Sequence, residues 1–553
     1  MFFTLPNQSF AQAPDTIIVS AMPPGNLNVV ITGDTTASGQ RNNPNRVYML
    51  QQTGAFDSTY FITATVYSNF NLTIIGKINP TTGHPPVIAP FINADNSSPS
   101  TYFVPLGGNI TFRNLYFSGQ RVDQTSSTGS VALPSGDSIT VVADHCVFDD
   151  FQLGNNSNVF MFAGTHYKVF ITNSDFRNNQ SDYFDQPSAL WFLGSTTADT
   201  VVIANNTFSC NNKALMGAPG YIKYFRFEHN TVFFSTSRSL VLFQAVTAII
   251  RNNIFYGAFF RGYTTTETTH EQWHPTKVEL PALIMFDSLS TLANPPYNLK
   301  ESDRNIVLQN NVYFWPKDAY NYWTSINDTA SDKLVPPLWM NPQTALMFTD
   351  KTTWPGFSAS NNDSTDPGFN SSLVQSTDNN IINYLNLNFT TGTASGSRWK
   401  LFPDDPTTMF ASVSTNWAET QGYPIPENLK YSNAALLTAG TDGKPLGDLN
   451  WFSQLTGVAQ VSNNIPEAFS LSQNYPNPFN PTTIIEYTVP KSSFVSLKVY
   501  NILGQEVATL YRGFQKAGSY KADFDASKLS SGVYLYNLQS NGFTLTKKMV
   551  LMK

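Results

Sequence analysis

The sequence IRNNIF at residues 250–255 is one copy of the six-residue pattern that decides the fold. The pattern has an apolar residue, any residue, Asn or His, any two residues and a second apolar residue. Its seven copies are FRNLYF at 112–117, ADHCVF at 143–148, ITNSDF at 171–176, IANNTF at 203–208, FEHNTV at 227–232, IRNNIF at 250–255 and LQNNVY at 308–313. The Asn or His positions, 114, 145, 173, 205, 229, 252 and 310, lie 31, 28, 32, 24, 23 and 58 residues apart. This spacing predicts a solenoid with one coil per copy and one coil unmarked or enlarged.

Each copy lies on a short run of β-branched and aromatic residues bounded by Asn, Ser and Gly, which indicates a strand that enters a tight turn. One such strand cannot bury its apolar face, but coils stacked in parallel bury aliphatic and aromatic rows between them. Asn suits the turn because it tolerates the left-handed conformation, and stacked Asn amides can hydrogen-bond from coil to coil. We therefore predict a parallel β-helix.

Opposite charges at equivalent positions of neighbouring coils test this alignment, because stacked residues of opposite sign attract each other. Three such pairs occur on consecutive coils: Arg113 with Asp144, Asp149 with Arg177, and Glu228 with Arg251. They support the alignment. We interpret the first two as solvent-exposed pairs, each contributing roughly a few tenths of a kcal/mol.

Residues 26–315 resemble the pectate-lyase-like superfamily of right-handed parallel β-helices, whose coils carry Asn ladders and aromatic stacks of this kind. The resemblance implies an architecture and leaves the activity open. Further along the chain, DPGF at 366–369, GTDG at 440–443 and GDLNW at 447–451 resemble segments that close such helices in secreted bacterial proteins. We expect residues 316–461 to be loop-rich and to continue and close the β-helix.

The composition and the hydrophobic pattern of the sequence change after residue 466, where QNYPNPFNPTT at 473–483 precedes segments of alternating apolar and polar residues joined by Gly turns. Strands predicted at 484–489, 495–500, 520–524, 532–538 and 543–551 make a small β-sandwich. With its Pro-rich lead, VYNILGQEV at 499–507, LSSGVY at 529–534 and KKMVLMK at 547–553, the module resembles the type A C-terminal sorting domain of the type IX (Por) secretion system. The resemblance implies transport across the outer membrane by the type IX machinery, in a bacterium of the Bacteroidota or a neighbouring group.

The N-terminal sequence also indicates export. The apolar residues MFFTL at 1–5 precede Ala11-Gln12-Ala13, which has the small-x-small form of a signal-peptidase site. The whole chain is therefore predicted to be all-β, with a right-handed parallel β-helix followed by a small C-terminal β-sandwich. Its parts are a signal-peptide remnant at 1–13, the β-helix at 14–315, the loop-rich closure at 316–461, a linker at 462–470 and the sorting domain at 471–553.

The composition excludes several classes of function. Only 13% of the 553 residues are charged, the net charge is −6, and no basic stripe interleaved with aromatic residues occurs, so we expect no nucleic-acid binding. No apolar run approaches the roughly 18 residues that span a bilayer, so we expect no transmembrane segment. Cys146 and Cys210 are too few for a disulfide framework and lack a CxxC partner, and we predict two free thiols, with Cys146 buried.

Acidic residues on neighbouring coils are the candidates for chemistry. The β-helix enzymes that cleave polyuronates use carboxylates to hold calcium and a basic residue to take the proton from the sugar C5. By this analogy we predict a calcium site formed by Asp144, Asp149, Asp150 and Asp175, and catalytic roles for Asp149, Asp175 and Arg177. No hydrolase or lyase signature of the superfamily occurs, and carboxylates one or two coils apart also fit glycoside hydrolysis. Polysaccharide lyase and glycoside hydrolase both stay open.

Histidines occur in two contexts. HEQWH at 270–274 matches the HExxH zinc motif, but the Thr-rich stretch before it and Pro275 after it disfavour the helix that the motif needs. We predict no zinc protease there and leave open whether the motif binds a metal. The motif lies in the enlarged interval, where a projecting loop can line a site. His145 and His229 occupy turn positions, where we expect hydrogen-bonded rather than catalytic side chains.

The predicted function is engagement of an extracellular polysaccharide, with or without cleavage, because a long surface of parallel coils matches a linear polymer. Aromatic rows in a solenoid are more often core, but some side chains can stack on sugars. The candidates are Trp191, Trp273, Trp315, Tyr320, Tyr322 and Trp323. The alternative is a non-catalytic structural or adhesive protein, secreted or at the outer-membrane surface, whose solenoid is a rigid spacer. A calcium-lined acidic groove favours the enzyme, and an evenly polar surface favours the spacer.

Overall fold

The computed structural model describes residues 15–36, 41–51, 59–79, 84–119, 129–153, 158–181, 187–211, 214–264, 280–289, 299–327, 334–375, 377, 379, 381–382, 385, 428–452, 458–462, 468–490, 493–515, 518–527, 529–540 and 543–553. The chain divides into two compact units, Met1–Lys77 with Pro85–Leu449 and Ile78–His84 with Asn450–Lys553. Within the described part of the chain, no helix has both the length and the apolar character needed to cross a membrane.

The first unit is built mainly of short strands. The strands are β1 Thr16–Val19, β2 Val47–Leu50, β3 Thr59–Ile62, β4 Val66–Ser68, β5 Leu72–Gly76, β6 Val87–Pro90, β7 Thr101–Pro105, β8 Ile110–Arg113, β9 Tyr116–Ser118, β10 Ser130–Ala132, β11 Thr140–Asp144, β12 Val147–Asp149, β13 Gln152–Leu153, β14 Phe160–Phe162, β15 Tyr167–Thr172, β16 Asp175–Arg177, β17 Gln180–Ser181, β18 Pro187–Phe192, β19 Thr197–Ala204, β20 Thr207–Asn211, β21 Ala214–Glu228, β22 Thr231–Ser235, β23 Leu240–Arg251, β24 Ile254–Tyr256, β25 Tyr263–Thr264, β26 Ala282–Met285, β27 Asn305–Gln309, β28 Val312–Phe314, β29 Leu334–Val335, β30 Leu338–Met340 and β31 Phe357–Ser360. The α-helices are α1 Asn26–Gly33, α2 Lys317–Asn327 and α3 Pro342–Thr349, and 3-10 helices span Glu301–Asp303, Ala434–Thr438 and Leu449–Phe452.

Three rows of parallel strands form the three faces of the solenoid. Face 1 consists of β1, β2, β5, β8, β11, β15, β19, β21, β23, β27 and β31; face 2 of β4, β7, β10, β14, β18, β21, β23, β26 and β30; and face 3 of β3, β6, β9, β12, β16, β20, β22, β24 and β28. Faces 1 and 2 form one 18-stranded sheet because β21 and β23 take part in both, and face 3 is a separate nine-stranded sheet. Each coil visits face 2, then face 1, then face 3, as β10, β11 and β12 do. The predicted parallel β-helix is confirmed.

The repeated Asn or His residue marks the corner between face 1 and face 3. All seven repeat residues have a positive φ, between 51° and 61°, and Asn361 adds an eighth with φ 52°. Five residues later, a second column of left-handed residues lies at or near the end of several face 3 strands: Asp150, Asn178, Cys210, Phe234 and Gly257. These short strands therefore have left-handed residues near both ends, as Asn-rich turn chemistry favours.

Aromatic side chains stack through the interior of the β-helix. Phe117, Phe148, Phe176 and Phe208 are fully buried on successive face 3 strands, with ring centroids 5.3, 4.6 and 4.9 Å apart. Because equivalent side chains lie one above another in a parallel stack, one aromatic position per coil produces a continuous column. The solenoid is thus held by contacts that repeat from coil to coil.

The long interval between Asn252 and Asn310 is one enlarged coil. Strand β23 pairs directly with β27, and β24 pairs directly with β28, so no further face 1 or face 3 strand lies between them. The coil is fastened by Arg304, whose buried guanidinium donates to the carbonyl oxygens of Ala245 (2.9 Å) and Asp287 (2.6 Å). These bonds fix the point at which the loop rejoins the stack.

The second unit is an antiparallel β module. Its strands are β32 Val458–Ser462, β33 Ser470–Leu471, β34 Thr482–Val489, β35 Ser493–Asn501, β36 Glu506–Gln515, β37 Gly518–Asp525, β38 Gly532–Ser540 and β39 Phe543–Leu551. They form two four-stranded sheets, β32-β37-β34-β33 and β36-β35-β38-β39, around one apolar core. The five strands predicted from the sequence correspond to β34, β35, β37, β38 and β39, whereas β32, β33 and β36 were not predicted. The fold class, a β-helix followed by a small β module, is confirmed.

Candidate functional site

Asp149 and Arg177 are direct partners on β12 and β16, as the charge alignment predicted. Their side chains are 1% and 2% exposed, and Arg177 Nε lies 3.7 Å from Asp149 Oδ1. Asn178 Nδ2 donates to the same carboxylate oxygen at 2.9 Å, and the Tyr116 hydroxyl donates to the other. The interpretation of this pair as solvent-exposed is wrong, because residues of the neighbouring coils enclose the carboxylate.

Asp144 ends β11 at the edge of face 1 and is paired in register with Arg113. Its Oδ1 lies 2.9 Å from His145 Nδ1 and accepts hydrogen bonds from Thr172 Oγ1 and Asn173 Nδ2, both at 2.9 Å. Burial raises the pKa of Asp144, but the hydrogen bond and charge of His145, with the two polar side chains, outweigh burial and hold that pKa well below its usual value. Asp144 therefore acts as a charged acceptor for the next coil.

The four predicted calcium ligands are distributed over two parts of the coil. Asp149, Asp175 and Arg177 project from the same side of face 3, because Asp175 lies two residues before Arg177 on one strand. Asp150 is buried in the left-handed turn that follows, and Asp144 lies across the corner on face 1. Among the described residues, no group of three or more His, Cys, Asp and Glu side chains is arranged to hold a metal ion. The calcium site and the catalytic roles stay predictions.

Residues 428–449, which we call the return segment, run back along the corner between faces 1 and 3. Their backbone hydrogen-bonds to side-chain amides of the repeat residues at this corner, which we call the turn column. Later residues of the return segment contact earlier coils. The contacts are Asn310 Nδ2 to the Ala439 carbonyl, the Thr441 N–H to Asn252 Oδ1 at 2.9 Å, and the Leu449 N–H to Asn205 Oδ1 at 2.6 Å. The GTDG and GDLNW sequences thus supply contacts to the coils through Thr441, Asp448 and Leu449.

His229 joins the return segment to the turn column. Its Nε2 lies 3.2 Å from Asp442 Oδ2 and 3.2 Å from Asn252 Nδ2. Burial raises the pKa of Asp442, but the hydrogen bond and charge of His229, with the N–H and charge of Lys444, hold that pKa well below its usual value. Together with His145, this confirms that the turn histidines are hydrogen-bonded.

A mostly buried amide ladder lies one residue beyond the repeat position, which the repeat pattern did not predict. It consists of Asn206, Asn230, Asn253, Asn311 and Asn362, and each member after the first accepts at Oδ1 from Nδ2 of the preceding member at 2.8–3.2 Å. Each Nδ2 also donates to a backbone carbonyl of the preceding coil, as Asn253 does to Phe227 at 2.9 Å. The signal that could have revealed it is the doubled Asn in three of the seven copies.

The outward row of face 2 is apolar and partly open to solvent. Tyr67, 62% exposed, pairs with Val104, and Met161 pairs with Trp191, which pairs with Gly217. Leu133 occupies the same row. Ala132, the residue before it, pairs with Phe103 and Phe160, which directly precede Val104 and Met161 in the chain. Leu133, Met161 and Trp191 are all half-buried. This row, from Tyr67 to Trp191, is called the face 2 row below.

The other aromatic candidates differ in exposure. Tyr322 and Trp323 are buried in α2, Tyr320 on the same helix is exposed, and Trp315 is half-buried with its indole N–H donated to the Ala258 carbonyl at 2.7 Å. Trp273, the HEQWH motif at 270–274 and the signal-peptide remnant at 1–13 lie outside the described residues.

In the second unit, the Pro-rich lead is bonded to the last strand. The Phe479 N–H donates to the Val550 carbonyl at 2.9 Å, and Asn477 Oδ1 accepts from the Val550 N–H at 2.9 Å. The Met552 N–H in turn donates to the Phe479 carbonyl at 3.0 Å, and the Phe479 ring is buried in the core of the module. The two ends of the module therefore close it as one structural unit.

Residues 473–552 match the family model described as a secretion system C-terminal sorting domain. The chain carries this sorting domain. It marks the protein as cargo of the type IX (Por) machinery and indicates a secreted or cell-surface protein of a Bacteroidota-type bacterium. No curated protein and no solved structure matches the chain, and the likeness of the β-helix to pectate lyases stays a prediction.

The sorting domain exposes two apolar side chains at the tip of its β35–β36 hairpin. Ile502 and Leu503 are 74% and 77% exposed and are adjacent in the chain. Asn501 Oδ1 accepts from the N–H groups of Leu503 and Gln505, both at 3.0 Å, and Gly504 has a φ of 75°. The tip is therefore a tight turn with a fixed backbone and an apolar apex.

Proposed function

We propose that the exported β-helix binds an extracellular polysaccharide along the face 2 row. The row runs parallel to the helix axis, and its residues recur once per coil, about 4.8 Å apart. A linear polymer can therefore contact successive coils with successive parts of its length. Recognition by a surface of this kind needs no catalytic residue, so the proposal concerns binding first.

The observation that carries the proposal is the partial exposure of aromatic and apolar side chains on an outward β-helix surface. Tyr67 and Trp191 supply rings whose faces can pack on the C–H face of a sugar, as aromatic side chains do in carbohydrate sites. Beside Trp191, the row continues with Gly217, which has no side chain to cover the indole. Further along, Val241 and Met285 are fully buried, so the accessible part of the row covers the earlier coils.

The geometry of the predicted catalytic pair directs the proposal towards binding rather than cleavage at that pair. Both oxygens of Asp149 accept hydrogen bonds, and Arg177 is buried beside them. A general base must reach the proton it removes, and an enclosed carboxylate of this kind does not reach a polymer on the surface.

The second candidate, a structural or adhesive spacer, is supported by the continuous amide ladder from Asn206 to Asn362. Each rung satisfies buried donors and acceptors of the next coil, which makes the stack of coils stiff. Binding of a polymer to the face 2 row excludes a purely structural spacer, because such a spacer does not need that row to be apolar, and it stays compatible with an adhesive role.

The test is binding of the full-length chain to a panel of acidic and neutral polysaccharides by affinity electrophoresis. We expect W191A and Y67A each to weaken binding by about fivefold, since stacking on one ring contributes about 1 kcal/mol. The control is Y475A, which removes an exposed aromatic side chain of the sorting domain and should leave binding unchanged. Equal binding by all variants would reject the face 2 row as the binding surface.

Cleavage is measured on the same panel, with and without calcium, as ultraviolet absorbance of unsaturated products and as new reducing ends. Calcium-dependent unsaturated products would make the protein a lyase and would return Asp149, Asp175 and Arg177 to consideration. Reducing ends alone would indicate a hydrolase. Binding without either product supports the non-catalytic form of the proposal.

A further inference from the structure

The apex of the β35–β36 hairpin is an unusual place for Ile502 and Leu503. Tight turns favour Gly, Pro, Asn, Asp and Ser, because these residues meet the backbone requirements and remain solvated. Here the two central positions of the turn carry branched apolar side chains, 74% and 77% exposed, and neither belongs to the apolar core of the module. The fold of the sorting domain therefore gains little from them.

The backbone beneath these side chains is held by an unusually complete set of hydrogen bonds. The Gly504 N–H donates to the Asn501 carbonyl at 3.0 Å, and the Asn501 N–H donates to the Gln505 carbonyl at 2.9 Å. The Asn501 side chain adds three more bonds, to the Leu503 and Gln505 N–H groups and from its Nδ2 to Gln505 Oε1 at 2.8 Å. A fixed apex presents its apolar groups without the ordering cost that a flexible loop would incur on binding.

We propose that Ile502 and Leu503 form the knob by which the sorting domain is recognised by a receptor protein of the export machinery, seated in an apolar pocket of that receptor. The inference rests on the proposed export of the protein. A sorting domain acts by being bound, and two adjacent aliphatic side chains on a rigid apex are suited to a complementary apolar pocket. Tyr475, although 82% exposed, stands singly and carries a polar hydroxyl, so it is a weaker candidate.

Asn501 is a positioning residue in this proposal. Its side chain is not part of the knob that would contact the receptor. It accepts a hydrogen bond from the Leu503 N–H and thereby fixes the orientation of Leu503. Replacing it with Ala leaves the two apolar side chains in place on a looser turn. We therefore expect N501A to reduce export, but less than removal of the knob does. If Asn501 were needed only for folding, N501A would not reduce export while the unfolding midpoint is unchanged.

The test uses the full-length chain expressed in a type IX-competent host, with the protein quantified in periplasmic, cell-surface and culture fractions. The knob is removed in the double variant I502S/L503S, and we expect the exported fraction to fall by about tenfold or more, with accumulation in the periplasm. The thermal unfolding midpoint of the purified chain should not change, because both side chains are exposed. The exchange I502L/L503I preserves apolar bulk and should preserve export.

The matched control is V533S, which removes an apolar side chain, 38% exposed, from another surface of the same domain. Normal export of I502S/L503S would overturn the proposal, as would an equal loss in V533S. Export followed by release from the cell surface would overturn it in favour of a contact with the surface itself. Retention of the unaltered chain in the periplasm would instead reject the export on which the inference rests. This outcome distinguishes a failure of export from a failure of the knob proposal.

Discussion

Asn253 Nδ2 lies 2.9 Å from Asn311 Oδ1, although the two residues are 58 positions apart in the chain. The contact crosses the enlarged coil, so the ladder continues through the largest irregularity of the β-helix. The same Asn311 oxygen also accepts from the Asn253 backbone N–H at 3.2 Å. One buried side chain thus satisfies both donors of its neighbour, and the coils on either side of the long loop remain in register.

Replacing Asn253 with Ala should lower the free energy of unfolding by about 2–4 kcal/mol, because the Asn230 N–H and the Phe227 carbonyl lose buried partners. Urea denaturation of the full-length chain measures the change. The control is N362A, since Asn362 is only partly buried at the end of the ladder and should cost less. If N253A and N362A lowered the free energy of unfolding equally, the interior members of the ladder would not be more tightly bonded than its last member.

The buried pair of Asp149 and Arg177 should be sensitive to loss of either partner. We expect D149N or R177M to lower the free energy of unfolding by about 3–5 kcal/mol, because each leaves an uncompensated buried group. The comparison is E228Q, in a pair with the partly exposed Arg251, for which we expect a loss of less than about 1 kcal/mol. A variant that lost polymer cleavage at unchanged stability would instead support a catalytic role.

The contact between His229 and Asp442 should respond to pH. The pKa of Asp442 is lowered in the folded state, so its contribution to stability is present above the unfolded value of about 3.9 and is lost as the pH falls below it. At neutral pH, D442N should raise the hydrogen-exchange rate of the Thr441 amide by about fivefold, equivalent to about 1 kcal/mol. The control D199N, in the exposed pair with His166, should have no such effect.

The two thiols should report the opening of the β-helix. Burial raises the pKa of Cys146 to about 12, and Cys210 is fully buried on β20. At pH 8 neither should react with a thiol reagent in the folded protein, and both should react in denaturant, because the reacting species is an accessible thiolate. Rapid labelling of the folded chain would show that these coils open far more readily than their packing implies.

The corner turns were predictable because one residue type meets two local requirements. Asn114, His145 and Asn310 stand at positions where the chain must adopt a positive φ, and their spacing was visible without knowledge of the fold. The stacking of Arg113, Asp144, Glu228 and Arg251 followed from the same alignment. Local conformation and register therefore determine most of the solenoid.

Sequence patterns do not reveal features that depend on side-chain direction or on contacts between distant segments. In Asn252-Asn253 both residues are amides, and only the path of the backbone determines that the second points inwards. The burial of Asp149 depends on Tyr116 from another coil, which charge alignment does not reveal. The GDLNW motif indicates closure of the helix, but it does not reveal that Leu449 bonds to Asn205, 244 residues away in the chain.

In the C-terminal module, β36 escaped prediction because Gly513 interrupts its apolar pattern, yet its backbone pairs with β35 along most of its length. The module was assigned to the sorting-domain family from several matched stretches of sequence, and these stretches include the hairpin tip at 501–505. The exposure of Ile502 and Leu503 could not be read from the sequence, since alternation at a turn does not distinguish an apex from a buried strand end.

The return segment has a mechanical consequence. A tether attached beyond Leu449 pulls first on the bonds to Asn205 and to Thr207, in the middle of the stack, and not on the terminal coil at Ser360. Force along the helix axis loads the contacts at Asn205, Asn252 and Asn310 in shear, so several must fail together before the stack is unwound from its end. A surface protein anchored through its C-terminus and pulled by a bound polymer would thereby resist stepwise peeling.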